Sequence, residues 1–139
     1  MTPAEMKQFI AKYTDDVWNK HDVGAMDRYY DPKYVHNDVS RPDVRTLDQY
    51  RNWAKDLIGG LHGLRVDIDD LIAEENGKAV KRWTASGAHH GTLAGIPPTG
   101  KAVRFSGSSV YRIEGNKIVE SWYVYDLLGL LQQLGVIAA

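Results

Sequence analysis

The hydrophobic pattern changes its period at Gly63, and that change decides the fold class. Before it, apolar side chains recur every three or four residues; after it, Leu64, Val66 and Ile68 alternate with Arg65, Asp67 and Asp69, as in a strand with one buried face. Asn76-Gly77 and Gly115-Asn116 are hairpin signals because their residues accept the left-handed backbone of tight turns. Strands are therefore expected over 64–74, 79–89, 102–114 and 117–125, with a Gly- and Pro-rich loop at 90–101. Helices first and an antiparallel meander afterwards is an α+β arrangement, with helices packed on one face of a twisted sheet. A strongly curved sheet closed by helices forms a cone with a pocket inside.

The helical part is punctuated clearly. Thr2-Pro3-Ala4-Glu5 reads as a capping box with Pro at the first helical position. Met6, Phe9, Ile10, Tyr13 and Val17 then give one apolar face that ends near His21-Asp22. A short second helix is expected to carry Met26, Tyr29 and Tyr30 until Asp31-Pro32 stops it, and Tyr34 to Asp38 reads as extended. Thr46 caps a third helix whose stripe is Leu47, Tyr50, Ala54, Leu57 and Ile58, with Gly59-Gly60 as the stop. Leucines 127, 128, 130, 131 and 134 form a last helical turn ended by Gly135.

Composition narrows the function classes. A chain of 139 residues has room for one core, so a single domain over 1–139 is expected. The net charge of -1, with no run of like charge, argues against nucleic acid or an anionic membrane as partner. Cysteine is absent, which removes thiol nucleophiles and Cys-based metal sites and fits a cytoplasmic location. The amino terminus lacks the basic start and apolar core of a signal peptide, and no apolar run approaches the ~20 residues of a membrane helix. His89-His90 does not make a metal site, because adjacent strand residues point to opposite faces and no third ligand is evident. Four Trp and eight Tyr against two Phe supply aromatic rings with polar tips, suited to a pocket or an oligomer interface.

If Gly115-Asn116 is a two-residue turn, Glu114 faces Lys117 and the register runs outward from there. That register groups Phe105, Ser109, Tyr111, Ile113, Ile118, Glu120, Trp122 and Asp126 on one face, and Val110, Arg112, Val119, Ser121, Tyr123 and Tyr125 on the other. At Asn76-Gly77 the same reasoning groups Leu64, Val66, Ile68 and Ile72 with Trp83 and His89, with Arg82 opposite Leu71. Large apolar groups on both faces imply two covers, one of helices and one of a second subunit. Trp53 and Trp122 are then the candidate walls for a flat ligand, and His89 is a candidate donor at the pocket rim.

From about Lys81 onward the segments RWTASGAHHG, GIPPTGKAVRFSG and GNKIVESWYVYDLLGLLQQLG, together with the earlier YYDPKYVHND, resemble the SnoaL-like polyketide cyclase (ester cyclase) family of the nuclear transport factor 2-like superfamily. The resemblance spans essentially the whole chain. It implies a cone-shaped, curved antiparallel sheet wrapped on amino-terminal helices, also called a cystatin-like α+β barrel. It further implies a homo-oligomer, dimer or tetramer, and intramolecular aldol closure of a small hydrophobic or aromatic substrate without metal or cofactor. In the family the acid/base is an aspartate just before the final leucine-rich turn, which is Asp126 here; an Asp opening a helix is equally a good N-cap, and the roles are compatible. His36 and Asn37 match the family's polar pair for a substrate carbonyl. Ser109 and Tyr111 stand where the family places Gln and His; both can donate to an oxyanion, but the imidazole is missing. The resemblance therefore leaves open an isomerase, a dehydratase, an epoxide-opening enzyme or a non-catalytic small-molecule-binding protein in the same fold.

Overall fold

A computed structural model describes residues 1–139. Helix α1 spans Pro3–Tyr13. Thr2 accepts from the Glu5 N–H at 3.1 Å while the Glu5 carboxylate accepts from the Thr2 N–H at 2.8 Å, the reciprocal box expected from the sequence. The helix then widens into a π-type segment, Thr14–Asn19, where the Thr14 hydroxyl donates to the Ile10 carbonyl at 2.8 Å. The extra residue per turn accompanies a wide buried face: Thr14, Asp16, Val17 and Trp18 are all buried.

The expected second helix is only a 3-10 segment, Val23–Arg28. Tyr30 belongs instead to strand β1, Tyr30–Asp38. This strand carries Pro32 because it lies at the sheet edge and its pairing is interrupted between Tyr30 and Val35. Helix α2, Leu47–Gly60, starts from a second capping box, Thr46 with Gln49. Strands β2 (Leu61–Ala73), β3 (Lys78–His89), β4 (Ala102–Glu114) and β5 (Lys117–Tyr125) follow, then helix α3, Leu127–Gln133. The sheet order is β1-β5-β4-β3-β2, with β1 parallel to β5 and the other pairs antiparallel.

The two hairpins depart from simple alternation, and the departures decide which side chains enter the core. Gly115-Asn116 is a two-residue turn with both residues at positive φ, and Glu114 pairs with Lys117 as expected. One pair later a bulge intervenes: Ile113 faces Ile118, but Arg112 faces Glu120, so Val119 is the extra residue. Every side chain beyond it changes face. Ser121, Tyr123 and Tyr125 join Phe105, Ser109 and Tyr111 inside, and Glu120 and Trp122 turn out, which reverses the grouping expected from an unbroken register.

At the other hairpin, Glu74 accepts from and donates to Lys78 across Glu75-Asn76-Gly77, a three-residue loop. Leu71 therefore pairs with Lys81, Ile72 with Val80, and Arg82 with Asp70. Ile72 is 57% exposed and Lys81 is buried, correcting the placement of Ile72 and Arg82. Further breaks in β2, at His62/Arg65 and Ile68/Asp70, and the bulge in β5 bend the sheet around the helices. Asn19 braces the bend by donating to the Val66 carbonyl and accepting from the Val66 N–H, at 3.1 and 2.7 Å. No helix is long and apolar enough to cross a membrane.

Candidate active site

The concave face of the sheet and the helices enclose two adjoining chambers. An inner one of about 30 Å³ is walled by Trp18 of the π-type segment, Trp53 and Leu57 of α2, Val66, Lys81, Trp83 and Ala85 of β2 and β3, and Phe105, Tyr123 and Tyr125 of β4 and β5. An outer one of about 380 Å³ shares Trp53, Leu57, Phe105 and Tyr125 with it, and adds Ser40, Arg41, Leu93, Ile96, Leu127 and Leu130 among others. An apolar cavity with few polar groups is the usual form of a small-molecule site.

A cluster of buried tyrosine hydroxyls lies behind the inner chamber and meets it at Tyr123. The Tyr50 hydroxyl donates to that of Tyr123 at 2.7 Å, Tyr13 and Tyr111 approach the pair at 3.3 and 3.4 Å, and the Trp18 indole donates to Tyr13 at 2.9 Å. Burial raises the pKa of Tyr50, Tyr111 and Tyr123, so these remain neutral donors and acceptors. Lys81 enters the same region with its Nζ donating to the Thr14 hydroxyl at 2.9 Å.

The residues singled out by sequence are distributed unequally. Trp53 lines both chambers. Ser109 and Tyr111 face inward and are fully buried; Ser109 accepts from the Trp83 indole at 2.9 Å, so it holds a chamber wall. His36 is buried, stacked on Tyr50 at 4.2 Å, with Nδ1 bonded to the Tyr34 hydroxyl at 2.7 Å. Burial, aided by the nearby Arg45 charge, lowers its pKa to about 4, so the ring is neutral near pH 7.

Asn37 is the next residue on the strand and points the other way; its amide donates to Glu120 and to the Ser121 carbonyl and accepts from Arg45. The expected His36–Asn37 pair therefore does not converge on one ligand. Trp122 lies on the outer face, paired with Val110, and is not a pocket wall. His89 is fully buried, and its Nδ1 lies 3.3 Å from the Thr99 N–H that donates to it, with Nε2 unpartnered; it lines neither chamber.

Asp126 is exposed and accepts from the Gly129 N–H at 2.9 Å, capping α3. It stands between Tyr125 and Leu127, which both line the outer chamber, but it does not share a face with Trp122, Tyr111 and Ser109 as an unbroken register would require.

A carboxyl that the sequence did not single out lies nearby. Asp38 ends β1, is buried, and accepts from the Ser40 N–H at 2.8 Å. Burial raises its pKa, and the adjoining Tyr125 hydroxyl is raised as well, by burial first and then by the Asp38 charge.

Comparison with known proteins places this cavity in a family. The family model for SnoaL-like polyketide cyclases matches residues 8–134. This chain belongs to the SnoaL-like polyketide cyclase family. Among solved structures, TsrD from Streptomyces laurentii is 29% identical over 99% of both chains with a TM-score of 0.87. A proposed polyketide cyclase from Acidithiobacillus ferrooxidans is 30% identical over 94% of each chain, TM-score 0.81. A SnoaL-like polyketide cyclase from Agrobacterium tumefaciens shares the fold, with 23% identity, 91% and 95% coverage and a TM-score of 0.71. No curated protein matches. Ser109 and Tyr111, where the resemblance to the family leads one to expect Gln and His, line neither chamber and are bonded instead to two residues that do, Trp83 and Tyr123.

Proposed function

We propose that this chain is a cofactor-free SnoaL-like enzyme that moves a proton on a small apolar or aromatic substrate with an enolisable carbonyl, in an intramolecular aldol-type closure or a related reaction. The observation that supports this most is the aromatic two-chamber cavity inside the cone. Burial next to such a cavity disfavours an ionised carboxylate and brings its pKa toward the range of a working acid/base. In the closure, a carboxylate takes an acidic C–H proton, the carbanion attacks a second carbonyl of the same molecule, and the proton is returned to the oxygen that becomes hydroxyl. No atom is gained or lost.

Asp126 is the acid/base that the family pattern assigns. Asp38 is the second reading, favoured by its burial and by its contact with Tyr125 at the chamber wall. Asp126→Asn is a clean test because Asn caps a helix as well as Asp does. Deuterium wash-in at the α-carbon of 1-tetralone, followed by proton NMR, reports the enolisation step. The native chain should exceed buffer, and the essential carboxyl should cost on the order of 10²–10⁴-fold when converted to Asn. Full activity in Asp126→Asn with loss in Asp38→Asn moves the role to Asp38; full activity in both removes the carboxyl mechanism.

The chain is further proposed to form a homo-oligomer through the outer face of the sheet, where Ile72, Val80, Val110 and Trp122 pair successively across four strands. A non-catalytic binding role keeps one supporting observation, the absence of an imidazole at Ser109 and Tyr111. Native mass spectrometry showing a co-purifying ligand unchanged on long incubation would favour it.

A further inference from the structure

Lys81 is a buried cation without a counter-ion. It is 2% exposed, makes none of the ion pairs found in the chain, and is the one charged residue in the wall of the inner chamber. Its surroundings suit an ammonium. The Thr14 hydroxyl gives its own hydrogen to the Ile10 carbonyl and turns a lone pair to Nζ, and Nζ lies 5.2 and 5.6 Å from the ring centres of Tyr13 and Tyr111, the electron-rich faces that attract a cation. Its bond to Thr14 uses one of its three N–H groups and a second is turned toward the Tyr111 hydroxyl, which leaves one for a ligand.

Folding alone gives no reason to retain such a group, since an apolar side chain of the same volume avoids the desolvation cost. No carboxylate pairs with it, and the chamber that Lys81 lines is where an anion could reach it from outside. We propose that Lys81 binds an anionic oxygen, carboxylate or ionised enol or phenol, at the inner end of an otherwise apolar aromatic ligand whose rings occupy the outer chamber. This specifies the ligand class for the reaction proposed above and rests on that reading for its location. An enolate formed during proton transfer is one such oxygen, and Lys81 then stabilises it electrostatically.

Binding tests this without turnover, so failure of the aldol mechanism and failure of the Lys81 assignment are separable. Calorimetry compares 2-naphthoate with the neutral 2-naphthamide; the native chain should prefer the anion by about tenfold or more, as expected for a charge-assisted hydrogen bond. In the second arm, 4-nitrophenol is held below its own pKa, and the native chain should raise the visible phenolate absorbance. Lys81→Met should lose both effects while binding naphthamide within about threefold of the native chain. A Lys81-dependent effect in either arm supports the proposal and tells carboxylate from phenolate. Equal affinity for the naphthyl pair with no change in nitrophenol absorbance overturns it, as does an anion preference that survives in Lys81→Met. If Lys81→Met does not fold, the absence of any anion effect in the native chain still overturns the proposal, and Lys81→Gln takes the variant's place in the comparison.

Discussion

His36 makes stability depend on pH in a direction and size that follow from its surroundings. Its imidazole is buried against Tyr50, with the Tyr34 hydroxyl on Nδ1, and burial lowers its pKa from 6.5 to about 4. A histidine depressed in the folded state takes up a proton more readily when unfolded. The stability it allows is intact above the unfolded pKa and falls as pH drops from 6.5 toward 4. At about 1.4 kcal/mol per pH unit, the loss is about 2 kcal/mol at pH 5 and about 3 kcal/mol at pH 4, with no further loss once the folded ring is itself protonated. The perturbation is His36→Phe, which keeps a ring on Tyr50 and removes the titration. Urea unfolding at about pH 7.5 and about pH 5, at one protein concentration, gives the difference for each protein. The native chain should lose about 2 kcal/mol more than the variant between the two conditions. Equal losses would refute the claim that His36 is held neutral by burial.

Trp122→Glu on the outer face should shift the assembly toward monomer in analytical ultracentrifugation while leaving secondary structure by circular dichroism unchanged; an unaltered sedimentation profile would exclude this face as the contact. Gly107→Ala should destabilise the fold by about 1–3 kcal/mol, as overpacking does. A Cβ there would sit 2.6 Å from Trp83, 2.7 Å from the Val124 carbonyl and 2.8 Å from Tyr125. Thermal melting with near-ultraviolet dichroism would show both the loss and the displaced indole, and a native-like melt would mean that these walls are looser than the packing implies.

Much of the architecture was legible because it rests on local chemistry. The capping box at Thr2, the N-cap at Thr46 and the turn at Gly115-Asn116 need only neighbouring residues, and each forms as the sequence indicates. The inside of the cone was less legible because it depends on single inserted residues. Val119 sits in a run of strand formers, and nothing in the pattern IVESW marks it as the bulge; yet it exchanges Trp122 for Tyr123 as the inward aromatic. The loop at Asn76 is one residue longer than the dipeptide signal suggests, and that difference places Leu71 opposite Lys81 and sends Ile72 outward. Asp126 illustrates a different limit: its place before the leucine-rich turn was readable, whereas its exposure and capping bond depend on how the chain leaves β5. Asp38 carried a partial signal, a carboxylate closing the segment YYDPKYVHND, but its burial arises from β1 pairing parallel with β5, a contact between elements far apart in the chain that periodicity does not disclose.

The four indoles offer a direct test that ligands enter the cone. Trp18, Trp53 and Trp83 wall the inner chamber, while Trp122 lies on the outer sheet face beside Val110. A ¹H–¹⁵N correlation spectrum, assigned by single Trp→Phe variants, follows their side-chain N–H signals as 2-naphthoate is added. Shifts at Trp18, Trp53 and Trp83 with Trp122 unmoved are the expected result. A saturable shift confined to Trp122 would contradict the interior cavity as the site of binding.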